Sequence, residues 1–200
     1  MNPSIKQLQD KNTFIETEII VQNEPMPFFK KYMNKLTSWS ICFYLILIIF
    51  AGLFGLSFAN QDNTGIFATA PFFVFLIILP IHEIIHAIVY KLFGAKNVGF
   101  KIVWKQFVVY TYANHDVVNS RQMKSIASAP FIVISTIFLL LTFLGEGELR
   151  IFASFAGLLH ALLCLGDLAI LNYLQINKVK KVYTYDDQAK GMSYFFESIR

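Results

Sequence analysis

The sequence places two histidines and a glutamate in one short segment, His82-Glu83-Ile84-Ile85-His86. Residues four positions apart lie on the same face of an α-helix, so the imidazoles of His82 and His86 can bind one metal ion. Glu83 lies beside the first histidine, within reach of a water molecule on that ion. Zinc lowers the pKa of such a water to about 7, and a carboxylate can then accept its proton. The segment therefore predicts a hydrolytic zinc site with Glu83 as general base.

A catalytic zinc usually has three protein ligands and one open position, so the third ligand must come from elsewhere in the chain. Two candidates, His160 and Asp167, follow in one apolar segment. On a helix they would share a face but differ by about 10 Å in height. Counted from Lys91 and Lys178, where the two apolar segments end, Asp167 matches the level of the histidine pair better. We therefore expect Asp167 as third ligand. His160 would then support a ligand from behind, contact the substrate or serve as an alternative ligand. The alternative role for Asp167 is helix packing without a metal.

The rest of the chain indicates what kind of element holds these residues. Of 200 residues, 56% are hydrophobic and 15% are charged, against about 25% charged in a typical soluble domain. The hydrophobic residues also form long runs, and a membrane-spanning helix needs about 20 of them. Four windows qualify, at residues 39–59, 69–92, 126–144 and 151–174. The sequence thus predicts an all-α polytopic membrane protein with four transmembrane helices.

The histidines and glutamate of the motif lie inside the second apolar window. A charged residue near the bilayer centre costs about 2.5 kcal/mol or more on insertion scales, and histidine is also disfavoured there. A zinc ion would compensate for placing His82, Glu83 and His86 in five consecutive positions. The alternative is a hydrogen-bonded polar cluster that packs helices together without a metal.

Basic residues are concentrated in three polar parts of the chain: before the first window, between the second and third, and in the tail. The two other connections contain one basic residue between them, Arg150. The positive-inside rule therefore places both termini and the middle connection in the cytoplasm of a multi-pass cell-membrane protein. We expect a cytoplasmic segment at 1–38, a transmembrane domain at 39–175 and a cytoplasmic tail at 176–200. Lysines at membrane edges explain the net charge of +4 without nucleic-acid binding.

The middle connection has a two-residue hydrophobic period. Hydrophobic side chains occupy every second position from Val98 to Trp104, and residues 107–112 form a second run rich in Val and Tyr. This pattern is typical of a short amphipathic β-hairpin, which we place at 97–112 between the second and third helices, against the cytoplasmic membrane face. An irregular interfacial loop with aromatic anchors is the alternative.

The two cysteines, Cys42 and Cys164, both fall inside apolar windows. The chain has no CxxC pair, so a cysteine-based zinc site is not expected. A disulfide between them is compatible with the sequence, but separate buried thiols are the commoner arrangement.

The residues described above resemble two groups of membrane peptidases. An HExxH in one span, a late Asp in a following span and a β-prone cytoplasmic segment between them are similar to the site-2 proteases, which are intramembrane zinc metalloproteases. The small layout, with HEIIH at 82–86 and Gly166-Asp167 in the last window, resembles more closely the Putative zincin peptidase family of bacterial membrane proteins. This resemblance covers roughly residues 40–175.

The resemblance implies zinc held by His82, His86 and Asp167, with Glu83 as base, and peptide-bond hydrolysis within or beside the membrane. The implied partner is a protein substrate with a transmembrane or membrane-adjacent segment. The residues alone leave three other functions open: a non-catalytic zinc-dependent sensor or chaperone, a zinc transporter, and a zinc hydrolase of a lipid amide or ester. Transport is the least favoured, because the first and third windows offer almost no polar side chains for a path.

Overall fold

A computed structural model describes residues 2–59, 65–103 and 108–199, which form helices α1–α7 and strands β1–β6. The helices are α1 (Ile5–Leu8), α2 (Met26–Met33), α3 (Ser38–Ala59), α4 (Gly65–Leu92), α5 (Ser120–Leu144), α6 (Gly147–Leu163) and α7 (Leu165–Ile176). The strands are β1 (Phe14–Val21), β2 (Val98–Val103), β3 (Val108–Ala113), β4 (Val118–Asn119), β5 (Val182–Asp187) and β6 (Met192–Ser198).

Long helices with apolar surfaces form the centre of the chain. Among the described residues, α3 and α5 are long and apolar enough to cross a membrane, and α6 with α7 makes a third candidate if the pair is one span. Many apolar side chains of α3 are exposed, including Leu45, Ile48 and Leu56. So large an apolar surface suits lipid better than water. The prediction of four membrane-spanning helices is wrong, and two or three candidates replace it.

The fourth window is not one helix because the chain bends inside it. α6 ends at Leu163 and α7 begins at Leu165, with a bend of 52° between them at Cys164. Hydropathy averages over a window and cannot detect a bend between apolar residues. The second window lies within α4, which is not among the candidate spans found in the described residues.

The prediction of an all-α protein is also wrong. A four-stranded antiparallel sheet, in the order β1-β6-β5-β4, joins the N-terminal segment, the C-terminal tail and the short strand before α5. Its strands contain many aromatic residues, such as Tyr183 and Tyr185 in β5 and Tyr194 and Phe196 in β6, which favour strands. These short strands lie outside the apolar windows on which the four-helix prediction was based.

The strands β2 and β3 form a separate two-stranded antiparallel sheet. Their register pairs Val98 with Ala113 and Val103 with Val108. This pairing agrees with the hairpin predicted at 97–112, of which residues 104–107 lie outside the described part of the chain. Both strands pack against α4, so the hairpin covers the helix that carries the histidines.

Two buried clusters join these layers. One lies between helices and includes Phe50 and Ile78. Gly157 of α6 permits close approach there, because a Cβ at this position would lie 2.3 Å from the Phe50 ring. The other cluster lies between α2, α7 and the four-stranded sheet, where the ring centroids of Tyr173 and Phe195 are 5.2 Å apart. Helix α7 therefore connects the helical layer to the sheet.

Candidate metal centre

The HExxH segment lies in the C-terminal half of α4 and faces the protein interior. His82, Glu83 and His86 are only 4%, 6% and 7% exposed. The Nε2 atoms of His82 and His86 are 3.0 Å apart. The spacing of four residues on one helix face thus directs both imidazoles to the same point.

Asp167 reaches this point from the first turn of α7. Its Oδ2 lies 3.2 Å from His82 Nε2, and its Oδ1 lies 3.4 Å from His86 Nε2. The structure therefore brings together the three residues that the sequence predicts as ligands, and it does so across two helices.

Contacts on the far side of the imidazoles orient both rings. His86 Nδ1 donates to the backbone oxygen of Ile126 at 2.8 Å. A carbonyl oxygen can only accept, so the proton of the neutral His86 ring is on Nδ1. His82 Nδ1 lies 3.3 Å from His160 Nε2. Outer contacts of this kind usually support metal-binding histidines, and they direct both Nε2 atoms towards Asp167.

The space between the three side chains fits a cation. Asp167 Oδ2 is buried, and no hydrogen bond of good geometry reaches it from the described residues, although His82 Nε2 is 3.2 Å away. Zinc bonds of about 2.0–2.1 Å to N and O in a tetrahedral site separate the ligand atoms by about 3.3 Å. The separations here are 3.0, 3.2 and 3.4 Å. His82, His86 and Asp167 can therefore hold zinc with little rearrangement.

Glu83 has a partner on the hairpin. The Thr111 hydroxyl oxygen lies 2.8 Å from Glu83 Oε2 and 2.8 Å from the Glu83 backbone oxygen. The hydroxyl can donate its proton to either acceptor, which ties the carboxylate to β3. Thr111 could not be predicted from sequence, because its position depends on how the hairpin packs on α4.

A cavity of about 250 Å³ opens beside these residues, and Glu83 and the three ligand side chains line it. A second cavity of about 140 Å³ adjoins the first, since six residues line both: Phe29, Tyr90, Tyr110, Thr111, Met123 and Ile170. The shared wall is mostly apolar. A water molecule or a substrate group therefore has room next to the ligands.

His160 lies behind His82, in one of the positions that the sequence left open for it. Cys164, which we did not predict near the site, has its Sγ 3.6 Å from His160 Nε2 and 3.9 Å from His82 Nδ1. The spacing of four residues between His160 and Cys164 could have indicated that the two side chains lie near each other on one helix face. Cys42 and Cys164 are free thiols, and Cys42 is exposed.

The fold and the site define a largely helical protein with candidate membrane spans, in which two buried histidines of an HExxH helix meet a part-buried aspartate of a second helix. A family described as Putative zincin peptidase matches residues 75–182, which is more than half of the chain and includes every residue of the site. The chain belongs to this family, as its sequence resemblance predicted. We found no match among curated proteins and none among solved structures.

Proposed function

We propose that the protein is a membrane-embedded zinc metalloprotease that hydrolyses peptide bonds of membrane or membrane-adjacent proteins. The observation that carries this proposal is the convergence of His82, His86 and Asp167 beside a cavity that Glu83 also lines. The first three residues would hold the zinc ion, and Glu83 would be the general base.

The chemistry divides between the metal and the glutamate. A zinc ion bound there would supply Lewis-acid activation of a water molecule and of the carbonyl that is attacked. Glu83 accepts the proton of the attacking water and passes it to the leaving amine nitrogen. Thr111 holds the Glu83 carboxylate in place during both transfers, because its hydroxyl oxygen is 2.8 Å from Oε2.

An extended peptide is the substrate form that this site favours. A helix keeps its carbonyls in hydrogen bonds, so a helical substrate must unwind before a carbonyl can be attacked. Val109, Tyr110 and Thr111 of β3 line the cavity at the ligands. The hairpin can therefore pair with an extended substrate segment by strand addition and present one of its peptide bonds to Glu83.

We place both termini on the cytoplasmic side. The four-stranded sheet joins β1 from the N-terminal segment to β5 and β6 from the tail, which supports one common side for the two termini. These are also the lysine-rich parts of the chain, as the positive-inside rule requires of cytoplasmic segments.

A comparison of membrane proteomes tests the proposed activity. Cells that express the wild-type protein, Glu83→Gln or Glu148→Gln are compared for new protein termini in the membrane fraction. Glu148 is exposed in the first turn of α6, so Glu148→Gln is a matched control. We expect substrates to remain intact in the Glu83→Gln cells and to be cleaved in the other two.

The same comparison distinguishes the other functions. A Glu83→Gln protein that keeps its zinc and gives the wild-type proteome and phenotype would contradict the enzyme and favour a sensor or chaperone. A change in lipid composition without new protein termini would instead indicate a lipid amide or ester as substrate.

A further inference from the structure

A second group of metal-binding atoms lies on the other side of His82. His160 near the end of α6 and Cys164 at the bend before α7 are 0% and 1% exposed. His82 Nδ1, His160 Nε2 and Cys164 Sγ form a triangle with edges of 3.3, 3.6 and 3.9 Å. All three atoms are potential metal ligands, and the residues that carry them are buried.

The dimensions of this triangle match a tetrahedral metal site. Zinc bonds of about 2.0–2.1 Å to nitrogen and 2.3 Å to sulfur separate two nitrogens by about 3.3 Å and a nitrogen and a sulfur by about 3.5 Å. The observed N–N separation is 3.3 Å, and the two N–S separations are 3.6 and 3.9 Å. Small side-chain shifts would bring all three atoms into coordination.

The orientation of His160 supports this assignment. Its Nδ1 is buried and has no hydrogen-bond partner among the described residues. Its Nε2 points at His82 and Cys164. The ring therefore makes its polar contacts through the nitrogen that faces the triangle.

We propose that His82 Nδ1, His160 Nε2 and Cys164 Sγ form a second metal site, which takes a thiophilic divalent ion such as Zn²⁺ or Cd²⁺. A thiolate ligand selects soft ions, whereas the His-His-Asp set does not contain one. This site does not depend on peptide hydrolysis, and it would exist in a non-catalytic zinc protein as well.

Binding of the second ion requires the loss of two protons. The Cys164 thiol gives up its proton when sulfur binds the metal, and His82 gives up the proton on Nδ1 when this nitrogen binds while Nε2 holds the first ion. Both protons go to solvent. The His82 ring then bridges two ions of like charge, so the second ion binds more weakly than the first.

Cobalt(II), a spectroscopic substitute for zinc, separates the two sites. The full-length protein in detergent is stripped of metal and titrated with Co²⁺. Only a cobalt–thiolate bond gives an intense near-ultraviolet charge-transfer band. We expect two bound cobalt ions per chain, with this band growing mainly during the second equivalent.

Four variants make the assignment specific. Cys164→Ser should lose the band and keep the first equivalent. His160→Gln should also lose the band, and its first equivalent should bind more weakly because His160 supports His82. Cys42→Ser is the matched control, and it should keep the band because Cys42 is an exposed residue of α3. Asp167→Asn should keep the band while the first site is weakened.

Two results would overturn the second site. One is a total of one cobalt per chain in the wild-type protein, with or without the band. The other is a band that persists in Cys164→Ser. One cobalt without the band would leave the proposed catalytic site unaffected, so the two proposals fail separately.

Discussion

The Thr111 hydroxyl oxygen lies 2.8 Å from Glu83 Oε2 and equally close to the backbone oxygen of the same residue. The hairpin is thus joined to α4 at the residue that we assign as general base. A carboxylate that must accept and release a proton needs a defined orientation, and a hydrogen bond from a neighbouring strand provides one.

Thr111→Val removes the hydroxyl and keeps the shape of the side chain. We expect the free energy of unfolding to fall by about 1–3 kcal/mol, because a buried acceptor loses its partner. Turnover of a substrate identified in the proteome comparison should fall, while zinc content stays at the wild-type value. Thr111→Ser retains the hydroxyl and should behave like the wild type. Equal stability and turnover in Thr111→Val and the wild type would show that this hydrogen bond has no role.

Gly157→Ala tests the close packing of α6 against α3. The new Cβ would lie 2.3 Å from the ring of Phe50, which is fully buried and has little room to move. We expect a loss of about 1–3 kcal/mol from overpacking, measured as a lower melting temperature in detergent. Gly55→Ala is the control, since a Cβ there meets nothing within 4 Å. A Gly157→Ala protein as stable as Gly55→Ala would contradict the packing of these two helices.

Asn172 connects α7 to the end of α2 and the start of α3. Its Oδ1 accepts hydrogen bonds from the hydroxyls of Thr37 and Ser40 at 2.6 and 3.1 Å, and its Nδ2 donates to the backbone oxygen of Tyr32 at 2.9 Å. Asn172→Leu removes these bonds, and the Thr37 hydroxyl loses its shortest one. Ser40 Oγ can still donate to the Lys35 oxygen, and the Tyr32 oxygen still accepts from the Lys35 N–H. We therefore expect a loss of about 1–3 kcal/mol, measured as a lower melting temperature in detergent.

The zinc content of Asn172→Leu separates a structural role from a catalytic one. Asn172 makes its contacts away from the metal ligands, so the folded fraction of the variant should bind zinc normally at low temperature. A stable Asn172→Leu protein without zinc would contradict the structural role.

Asp186 in β5 makes stability depend on pH. Burial raises the pKa of its carboxyl above the ordinary 3.8, although hydrogen bonds from Ser193 Oγ and the Ala113 N–H act in the opposite direction. The folded protein therefore holds this proton to a higher pH than the unfolded chain does. The resulting stabilisation is complete below pH 3.8 and is lost as pH rises through the folded-state pKa.

Chemical denaturation of the wild type and of Asp186→Asn across the mildly acidic range measures this effect. The free energy of unfolding of the wild type should rise relative to that of the variant as pH is lowered. The two proteins are compared by the slope of the free energy of unfolding against pH and not by its absolute value. The substitution also alters the hydrogen bonds from Ser193 and Ala113, which changes the absolute value. Parallel slopes for the two proteins would contradict the shift.

The candidate ligands could be predicted because they depend on a local spacing along one helix and on the number of residues to the end of an apolar segment. The spacing of His82 and His86 on one helix face specifies a shared ligand point. The level of Asp167 relative to the end of its apolar segment identified the third residue that the structure places there. Thr111 and Cys164 were missed because their contacts with α4 arise from tertiary packing.

The fold was less predictable for a physical reason. In the four-stranded sheet, Phe14 pairs with Ser198 and Val21 pairs with Met192, and these pairs span nearly the whole chain. No local hydropathy window contains both partners of such a pair. The bend at Cys164 was missed because Leu163 and Leu165 on either side of it are as apolar as the rest of the window.

The zinc content of purified protein shows whether His82, His86 and Asp167 hold a metal ion. Four proteins that all carry Cys164→Ser, which removes the thiolate of the proposed second site, are loaded with limiting zinc, dialysed and measured by mass spectrometry of the metal. They are the otherwise wild-type protein and its Glu83→Gln, Asp167→Asn and His160→Ala variants. We expect about one tightly bound zinc per chain in the otherwise wild-type protein and in Glu83→Gln, and loss of most of it in Asp167→Asn. In His160→Ala we expect zinc binding to be weakened by about 10–100-fold, because His160 supports His82 from behind. Full zinc occupancy in Asp167→Asn, together with an empty site in His160→Ala, would contradict the proposed metal centre.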